Sequence, residues 1–347
     1  MYVRFLLIFI YKVASGAMIL LTGATGYIGS HTWIELLACS FQVVGVDNLS
    51  NSSLDRLGEI SSISGKSPIF IEGDIRDKLL LTSIFSKYPI THVIHLAGLK
   101  DVGESMVKQR QYLDVNVGGL RNLLEVMREH NCLKIVFSSS AAVYGERAPS
   151  PISEKSIPAP SNYYGETKLE GEALLAEESN RVPAINSVSL RYFNVAGSHP
   201  SGLLFNNVLA PSNSLFSEIT KVLIGENNSL SIYGDDWATR DGTCIRDYLH
   251  VSDLARGHLN ALKLLDGPAD GSFTLNLGSG VGQTVYEVVS AYEGIAGRKI
   301  PWKVVSRRLG DVGISFADTH LCTQVMGWSP KKTLSDICID SYRTCSK

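Results

Sequence analysis

Three glycines spaced Gly-x-x-Gly-x-x-Gly directly follow the first strand-like run of the chain and open a helical pattern. Gly23 would permit a tight turn, Gly26 would let the backbone approach a pyrophosphate, and Gly29 would let the helix pack close to the strand. The helix N-terminus would offer unpaired N–H groups and the positive end of its dipole to the phosphates. The spacing therefore predicts a dinucleotide bound at the carboxyl end of the first strand.

Strand-like and helical stretches alternate through the first half of the chain. Continuous apolar strands separated by helices predict a parallel sheet that is covered on both faces. The second half is richer in turns and carries one further strand-like run. The predicted strands cover 18–22, 42–46, 69–73, 92–95, 134–138, 187–192 and 273–277, and the predicted helices cover 30–38, 78–87 and 116–129. We predict an α/β fold, a Rossmann-type doubly wound parallel sheet with a smaller mixed α/β substrate domain.

The predicted domains meet near residues 193–198, where the sheet pattern ends. Residues 18–193 would form the dinucleotide-binding domain. Residues 194–347 would form mainly the substrate domain, with segments that return to the sheet. Residues 1–17 contain a short apolar run, far below the ~20 residues that span a bilayer. The first strand follows at once, so we predict that Met18 is the natural start and 1–17 an appendage.

Asp47 ends the second predicted strand, 18 residues after Gly29. A carboxylate there would bind the adenosine ribose hydroxyls and repel a 2′-phosphate, which favours NAD over NADP. The formal net charge of −2 gives no reason to expect nucleic acid. None of the six cysteines has zinc-ligand spacing, so we expect no metal; isolated cysteines fit a reduced, cytoplasmic protein without a membrane span.

Tyr164 and Lys168 lie four residues apart, which places both side chains on one face of a helix. A phenol titrates near ~10 and is a poor base at neutral pH. A neighbouring cation favours the phenolate and lowers that pKa. The pair therefore predicts a general base directed at a sugar or alcohol hydroxyl.

With these residues in place, the chain resembles the extended short-chain dehydrogenase/reductase family, and within it the epimerases of nucleotide sugars. The matching segments run almost colinearly from residue 18 to the end: TGATGYIGSH (22–31), DNLSNSS (47–53), EGDIRD (72–77), VIHLAGLKDVGES (93–105), SSSAAVYG (138–145), YGETK (164–168), LRYFNVAGSHPSG (190–202), DGTCIRDYLHVSDLARGH (241–258) and NLGSGVG (276–282).

The resemblance implies residues for each ligand. Those that would hold NAD phosphates and ribose, flank the adenine, line the strand-end loop and approach the nicotinamide are Tyr27, Ile28, Asp47, Asn48, Asn51, Ser52, Asp74, Ile75, Leu96, Ala97, Gly98, Lys100 and Phe193, in addition to the three glycines. Those that would hold the UDP-sugar are Asn194, Arg246, Arg308, Asp311 and Ser315. Planar guanidinium groups suit bidentate phosphate binding. The alternative for Arg246 is a structural ion pair with the adjacent Asp247.

The reaction that the resemblance implies is reversible 4-epimerisation between UDP-glucose and UDP-galactose. Ser140 would hydrogen-bond the sugar O4, although strand-end serines often only cap the next turn. Tyr164 would take the O4 proton, and Lys168 would bind the nicotinamide ribose and lower the Tyr164 pKa, helped by the positive nicotinamide. Related 4,6-dehydratases carry an Asp-Glu pair after the active-site hydroxyl residue, where this chain has Ala141 and Ala142. Methyl groups cannot transfer protons, so dehydration is disfavoured.

Several positions depart from the pattern that the resemblance implies. Tyr163 replaces the usual proline, Val115 a cofactor-side asparagine, and Ser214 a uridine-side asparagine, and residues 203–208 replace a polar segment. Two alternatives stay open: an epimerase of another nucleotide sugar, such as a UDP-uronate or UDP-pentose, and a non-catalytic NAD-sensing protein.

Ser315 matches a sugar-pocket position that is bulky in some relatives and small in others. A small side chain leaves volume for an acetamido group, so we expect turnover of UDP-GlcNAc and UDP-GalNAc as well. The resemblance also implies a homodimer formed through the helices beside 116–129 and 168–178.

Overall fold

The computed structural model describes residues 17–204, 214–268, 270–308 and 311–345. Its strands are β1 (Met18–Thr22), β2 (Gln42–Asp47), β3 (Ile69–Glu72), β4 (Ile90–His95), β5 (Lys134–Ser140), β6 (Asn186–Tyr192), β7 (Asn194–Ala196), β8 (Leu230–Tyr233), β9 (Ile245–His250), β10 (Ser272–Leu277), β11 (Gly282–Thr284), β12 (Trp302–Val305) and β13 (Ile314–Ser315). Its α-helices are α1 (Tyr27–Ala38), α2 (Asp55–Ser64), α3 (Lys78–Lys87), α4 (Val102–Val107), α5 (Gln109–Tyr112), α6 (Gly119–Glu129), α7 (Tyr163–Glu178), α8 (Leu215–Leu223), α9 (Val251–Leu265), α10 (Val285–Ala296), α11 (His320–Met326) and α12 (Leu334–Cys345).

Seven parallel strands form the central sheet in the order β10-β6-β5-β4-β1-β2-β3. From β3 to β6 this is the 3-2-1-4-5-6 order of the Rossmann fold, with β10 added beside β6. The order reverses between β1 and β4, so a crevice opens at the carboxyl ends of these two strands. The predicted α/β class and doubly wound parallel sheet are confirmed.

The sheet is buried on both faces, as β1 illustrates. Ile19 and Leu21 belong to a core cluster that contains Trp33 of α1, whereas Leu20 belongs to a cluster on the other face that contains Leu123 of α6. This alternation follows from the two-residue period of a strand. Each fully buried aliphatic side chain contributes ~1.5–3 kcal/mol through its removal from water. These two layers hold the strand ends, and hence the site, in place.

A second, smaller layer is built on a four-stranded sheet. In this sheet β9 pairs with β7, β11 and β13. Strands β8 and β12 form a separate parallel pair. Helices α8, α10 and α12 cover this region through a third apolar cluster that includes Phe216, Val288 and Ile337. The proposed boundary between two functional domains remains a prediction.

The predicted elements differ from the observed ones mainly at their ends. The helix predicted over 116–129 begins earlier, as a π-helical turn over Leu113–Gly118 that continues into α6. The run predicted at 273–277 is β10, and it pairs with β6 in the central sheet. Of the predicted appendage, residues 1–16 lie outside the described residues, and Ala17 is buried in the core. Along the described ranges, no helix is long and apolar enough to cross a bilayer.

Candidate active site

The glycine turn has a geometry that excludes side chains. Gly23 has a φ of 67°, and a Cβ there would lie 2.7 Å from the backbone nitrogen of Ala97. A Cβ on Gly29 would lie 2.0 Å from the carbonyl oxygen of Gly23. Gly26 caps α1, and its amide donates to the Gly23 carbonyl. Helix α1 therefore begins directly against the end of β1, with the first-turn amides of Tyr27 and Ile28 available to an anion.

Asp47 lies at the carboxyl end of β2 with only 8% of its surface exposed. One carboxylate oxygen accepts from the amide of Thr25 at 3.1 Å. The other accepts from the amide of Leu49 at 2.9 Å and from the Ser52 hydroxyl at 3.2 Å. A carboxylate can accept about four hydrogen bonds, so these contacts fix Asp47 while leaving acceptor capacity for a ribose hydroxyl.

The region predicted to flank the adenine contains a charged network. Asp74 accepts from the side chain of Asn48 at 2.9 Å and from two nitrogens of the Arg76 guanidinium at 2.8 and 2.9 Å. Arg76 also donates to Asp114 at 2.8 Å, so it joins the loop after β3 to the π-helical turn. The Arg76 hydrogen bonds hold the pKa of Asp74 well below its usual range. Sequence reasoning missed Arg76 and Asp114, because their partnership spans 38 residues.

The loop after β4 closes the crevice on its other side. The Ala97 amide donates to the Thr22 hydroxyl, and a Cβ on Gly98 would lie 3.0 Å from the side-chain oxygen of Asn116. Buried Asn116 exchanges hydrogen bonds with the backbone of Leu99 and donates to the Thr167 hydroxyl. It therefore joins this loop to α7, a contact that the sequence analysis did not foresee.

Ser140, Tyr164 and Lys168 converge where β5 ends and α7 begins. Asn162 caps α7 by accepting from the amide of Gly165 at 2.8 Å, which places Tyr164 in the first turn. The Ser140 hydroxyl forms a hydrogen bond with the Tyr164 side chain and also accepts from the amide of Ala142 at 3.1 Å. Ser140 thus both caps the following turn and contacts the candidate base.

Lys168 is buried, with 5% of its surface exposed. Its Nζ donates to the Ser138 carbonyl at 2.7 Å and lies 5.8 Å from the centroid of the Tyr164 ring. Burial lowers the pKa of Lys168 to about 8, against an opposing contribution from Glu172. Burial also raises the pKa of Tyr164, and the hydrogen bond to Ser140 only partly offsets that rise.

The lowering of the Tyr164 pKa that we expect from Lys168 together with the positive nicotinamide stays a prediction, because burial alone raises this pKa. The ammonium is directed at the Ser138 carbonyl, and burial is the largest influence on the Tyr164 pKa.

The residues predicted to hold the UDP-sugar lie in the smaller layer, with Asn194 exposed at the start of β7. Arg246 on β9 and Ser315 on β13 are register partners, and the Arg246 guanidinium lies 3.5 Å from the Asp311 carboxylate. The guanidinium of Arg308 stacks on the ring of Tyr233 at 3.8 Å from its centroid. The structure thus brings Arg246, Asp311 and Ser315 together.

The alternative reading of Arg246 as the ion-pair partner of Asp247 is wrong. Asp247 is fully buried and accepts hydrogen bonds from Ser279, Gly280 and Ala317 instead. The cause is the pleat of β9, which directs consecutive side chains to opposite faces. Arg246 therefore remains available to a ligand, with Asp311 and the carbonyls of Ile245 and Val312 as its contacts.

The remaining predicted positions divide by exposure. Ile75 and Phe193 are buried, at 4% and 6% exposure, and Ile28 and Leu96 pack on the core beside α1. Asn51 and Lys100 are exposed, and the Tyr27 hydroxyl donates to the Gly197 carbonyl at 2.6 Å. Across the described residues, no group of three or more His, Cys, Asp or Glu side chains suits a metal ion.

Comparison with known proteins places these features in a family. The NAD dependent epimerase/dehydratase family model matches residues 19–278. A UDP-glucose 4-epimerase from Bacillus subtilis is 42% identical over 326 residues, which cover 94% of this chain and 96% of that protein.

Two solved structures superpose over 95% of this chain and 98% of their own. One is a UDP-glucose-4-epimerase from Stenotrophomonas maltophila with bound NAD and formylated UDP-arabinopyranose, at a TM-score of 0.92 and 38% identity. The other is a UDP-glucose 4-epimerase from Bifidobacterium longum in complex with NAD⁺ and UDP, at a TM-score of 0.89 and 40% identity. The resemblance predicted from the motifs is confirmed, and the chain belongs to the NAD-dependent epimerase/dehydratase family.

Proposed function

We propose that the chain catalyses the reversible interconversion of UDP-glucose and UDP-galactose at C4, with NAD as cofactor. The observation that carries the proposal is the convergence of Ser140, Tyr164 and Lys168 at the carboxyl end of β5, next to the glycine turn of β1. A hydroxyl, a phenol and a buried ammonium in one place suit reversible removal of a proton from an alcohol.

The residues present fit NAD. Side chains are excluded at Gly23 and Gly29, the first turn of α1 faces the crevice, and Asp47 keeps acceptor capacity at the end of β2. When bound, NAD supplies a hydride acceptor for sugar C4 and returns the hydride afterwards. Its nicotinamide is positive in the oxidised form and would favour the phenolate of the buried Tyr164.

Within that framework the side chains have separate tasks. Ser140 donates a hydrogen bond to the sugar O4, and Tyr164 takes the O4 proton as C4 is oxidised. The same phenol returns the proton when C4 is reduced on its other face. Lys168 is held by the Ser138 carbonyl, and its charge together with that of the nicotinamide would favour the Tyr164 phenolate. Arg246 and Arg308 bind the diphosphate. The nucleotide therefore stays fixed while the sugar rotates to present its other face.

The family name covers dehydratases as well as epimerases, and Ala141 and Ala142 favour the epimerase. They form the 3-10 turn that Ser140 caps, directly beside the candidate base. Elimination of water requires an additional acid and base at this point, which two methyl groups cannot provide. The direct test is turnover of UDP-galactose to UDP-glucose by the purified protein. The same assay should include a UDP-uronate and a UDP-pentose. Conversion of one of these without conversion of UDP-galactose would contradict the proposal.

Replacing Arg246 with methionine is expected to raise KM for UDP-galactose ~10- to 100-fold with little change in kcat. A hydrogen bond to a charged group contributes ~1.5–3 kcal/mol, and the diphosphate is bound equally before and during the chemical step. Steady-state kinetics would separate the two constants.

The matched control for that variant is Arg240→Met. Arg240 lies before the same strand but pairs with Glu287 and the Gly282 carbonyl on the surface. Its removal is expected to leave both constants within a factor of about three, because exposed ion pairs contribute little. A drop in kcat alone for Arg246→Met would contradict the assigned binding role.

We further propose that Ser315 leaves room for a 2-acetamido group, so that UDP-GalNAc and UDP-GlcNAc are also substrates. Ser315 is half-buried and lies in register with Arg246. Ser315→Tyr is expected to lower kcat/KM for UDP-GalNAc about tenfold or more relative to UDP-galactose, because overfilling a packed space costs ~1–3 kcal/mol. Competing both substrates against wild type and variant measures the ratio.

Ile314→Tyr is the control for that specificity change. Ile314 precedes Ser315 on β13, so its side chain points to the other face, where it is 41% exposed. It should leave discrimination unchanged. Equal discrimination by wild type and Ser315→Tyr would remove Ser315 from the sugar pocket.

We also propose that the protein is a cytoplasmic homodimer. Five cysteines of the described chain are free, which suits a reducing compartment. Met106, Val107 and Leu113 expose apolar surface near α5 and the π-helical turn, beside the helices that would pair. Sedimentation of the purified protein at a single monomer mass would contradict the dimer.

A further inference from the structure

Glu172 and Arg191 form a buried ion pair next to the candidate catalytic residues. Neither residue is among those predicted to bind the cofactor or the UDP-sugar. Glu172 of α7 and Arg191 of β6 are 8% and 5% exposed. Two nitrogens of the guanidinium meet the two carboxylate oxygens, at 2.9 and 2.6 Å. Apolar side chains of similar volume often serve stability as well as a buried ion pair does, so the pair calls for a reason beyond stability.

Its position links it to each member of the catalytic group. Glu172 lies four residues after Lys168, one turn further along the same face of α7. Arg191 is the register partner of Ser139 on β5, and the Ser139 hydroxyl donates to the Glu172 carboxylate at 2.5 Å. The pair therefore ties α7 to β5 at the strand end where the catalytic side chains meet.

Each residue of the serine run 138–140 contacts a different side chain of the site. The carbonyl of Ser138 accepts from Lys168, the side chain of Ser139 bonds Glu172, and the side chain of Ser140 contacts Tyr164. A shift of β5 against α7 would disturb all of these contacts together.

The far side of Arg191 is also fixed. Its guanidinium lies over the Tyr144 ring at 4.7 Å from the centroid, and Tyr144 ends the turn that Ser140 caps. The Tyr144 hydroxyl donates to Asn276 of β10 at 2.7 Å, and Asn276 in turn donates to the Ile152 carbonyl. Arg191 thus packs against Tyr144 of this turn and is itself only 5% exposed.

We propose that Glu172 and Arg191 are positioning residues, which fix the register of Lys168, Ser140 and Tyr164 for proton transfer without contacting the substrate. This inference rests on the proposed epimerase function. Misplacement of reacting groups by about 1 Å can cost ~10²-fold in rate, whereas the diphosphate is bound in the other layer of the molecule. Loss of the pair should therefore lower kcat and leave nucleotide affinity intact.

The test is the charge-balanced double variant Glu172→Gln/Arg191→Met, which leaves no unpaired buried charge. We expect kcat for UDP-galactose to fall ~10- to 100-fold. KM and the Kd for UDP should stay within about threefold of wild type. Amide hydrogen exchange in the peptide covering 138–144 should quicken, which reports the register independently of turnover. Arg191→Lys keeps the charge but not the two-point contact, and should lie between wild type and the double variant.

The matched control is Lys134→Met/Asp266→Asn. Lys134 begins β5 and pairs with Asp266, at the opposite end of the same strand from the serines. This double variant removes an ion pair that is more exposed than Glu172–Arg191, and it should leave kcat and the exchange of 138–144 unchanged.

The outcomes separate cleanly. A wild-type protein that does not convert UDP-galactose defeats the proposed function itself. An active wild type with unchanged kcat and exchange in the Glu172/Arg191 variant overturns the positioning role, and so does an equal loss of kcat and UDP affinity. If the double variant does not fold, the split between kcat and KM in Arg191→Lys decides.

Discussion

Tyr164→Phe is expected to reduce kcat for UDP-galactose by ~10²–10⁴, the usual contribution of a positioned general base. The variant removes only the phenolic hydroxyl that contacts Ser140, and the ring keeps its place in the first turn of α7. The Kd for UDP should remain close to wild type, because the nucleotide is predicted to contact the other layer. A coupled assay for UDP-glucose and calorimetric titration with UDP measure the two quantities.

Tyr163→Phe is the control, since Tyr163 is the preceding residue of the same helix and has no assigned role in the reaction. Its kcat is expected to stay within a few-fold of wild type. Turnover by Tyr164→Phe within a factor of ten of wild type would refute Tyr164 as the base.

The second large effect is expected from Gly29→Ala, which should abolish NAD retention and destabilise the fold by ~1–3 kcal/mol or more. The new methyl group would lie 2.0 Å from the Gly23 carbonyl oxygen and 2.9 Å from the Ala24 carbonyl oxygen. Both obstacles are backbone atoms, so the only relief is a displacement of α1 from the end of β1. The NAD content of purified protein and the Tm report the two consequences.

Gly58→Ala is the control, and its expected change in Tm has the opposite sign. Gly58 also lies inside a helix, α2, but a Cβ there meets nothing within 4 Å. Alanine is favoured over glycine in a helix by ~0.5–1 kcal/mol, so Tm should rise slightly with NAD retained. Equal NAD content and Tm in the two alanine variants would exclude a phosphate-cradling role for the turn.

The sequence allowed much of the first half of the fold to be predicted, because its signals are local. Apolar strands and helices alternate, and the glycine turn marks where the first strand ends. A return of later segments to the sheet was predicted, but the pairing of β10 with β6 was not, because it joins segments about 85 residues apart. The π-helical turn before α6 was likewise hidden, since helical spacing alone does not reveal an added residue per turn.

Residues of the candidate site could also be predicted where their signal is local, and not where they meet only through the fold. Tyr164 and Lys168 could be paired from their spacing, whereas Arg191 has no local signal and meets Glu172 only through the fold. Glu172 could have been noticed, because it lies one turn beyond Lys168 on the same helix face. The alternative pairing of Arg246 with Asp247 could have been excluded from the strand alone, since adjacent residues of a strand point to opposite faces. The Tyr164 pKa depends on burial, which no spacing reports.

The place of β10 also limits how such a protein can be recombined. The chain leaves the central sheet after β6, builds most of the small layer, and returns through β10 before it supplies Asp311 and Ser315. A single crossover after β6 would thus exchange an edge strand of the sheet together with the residues proposed to bind the sugar. Chimeras meant to transplant only the pocket require one junction after β6, a second before β10 and a third after it, with β10 kept from the parent that supplies β6.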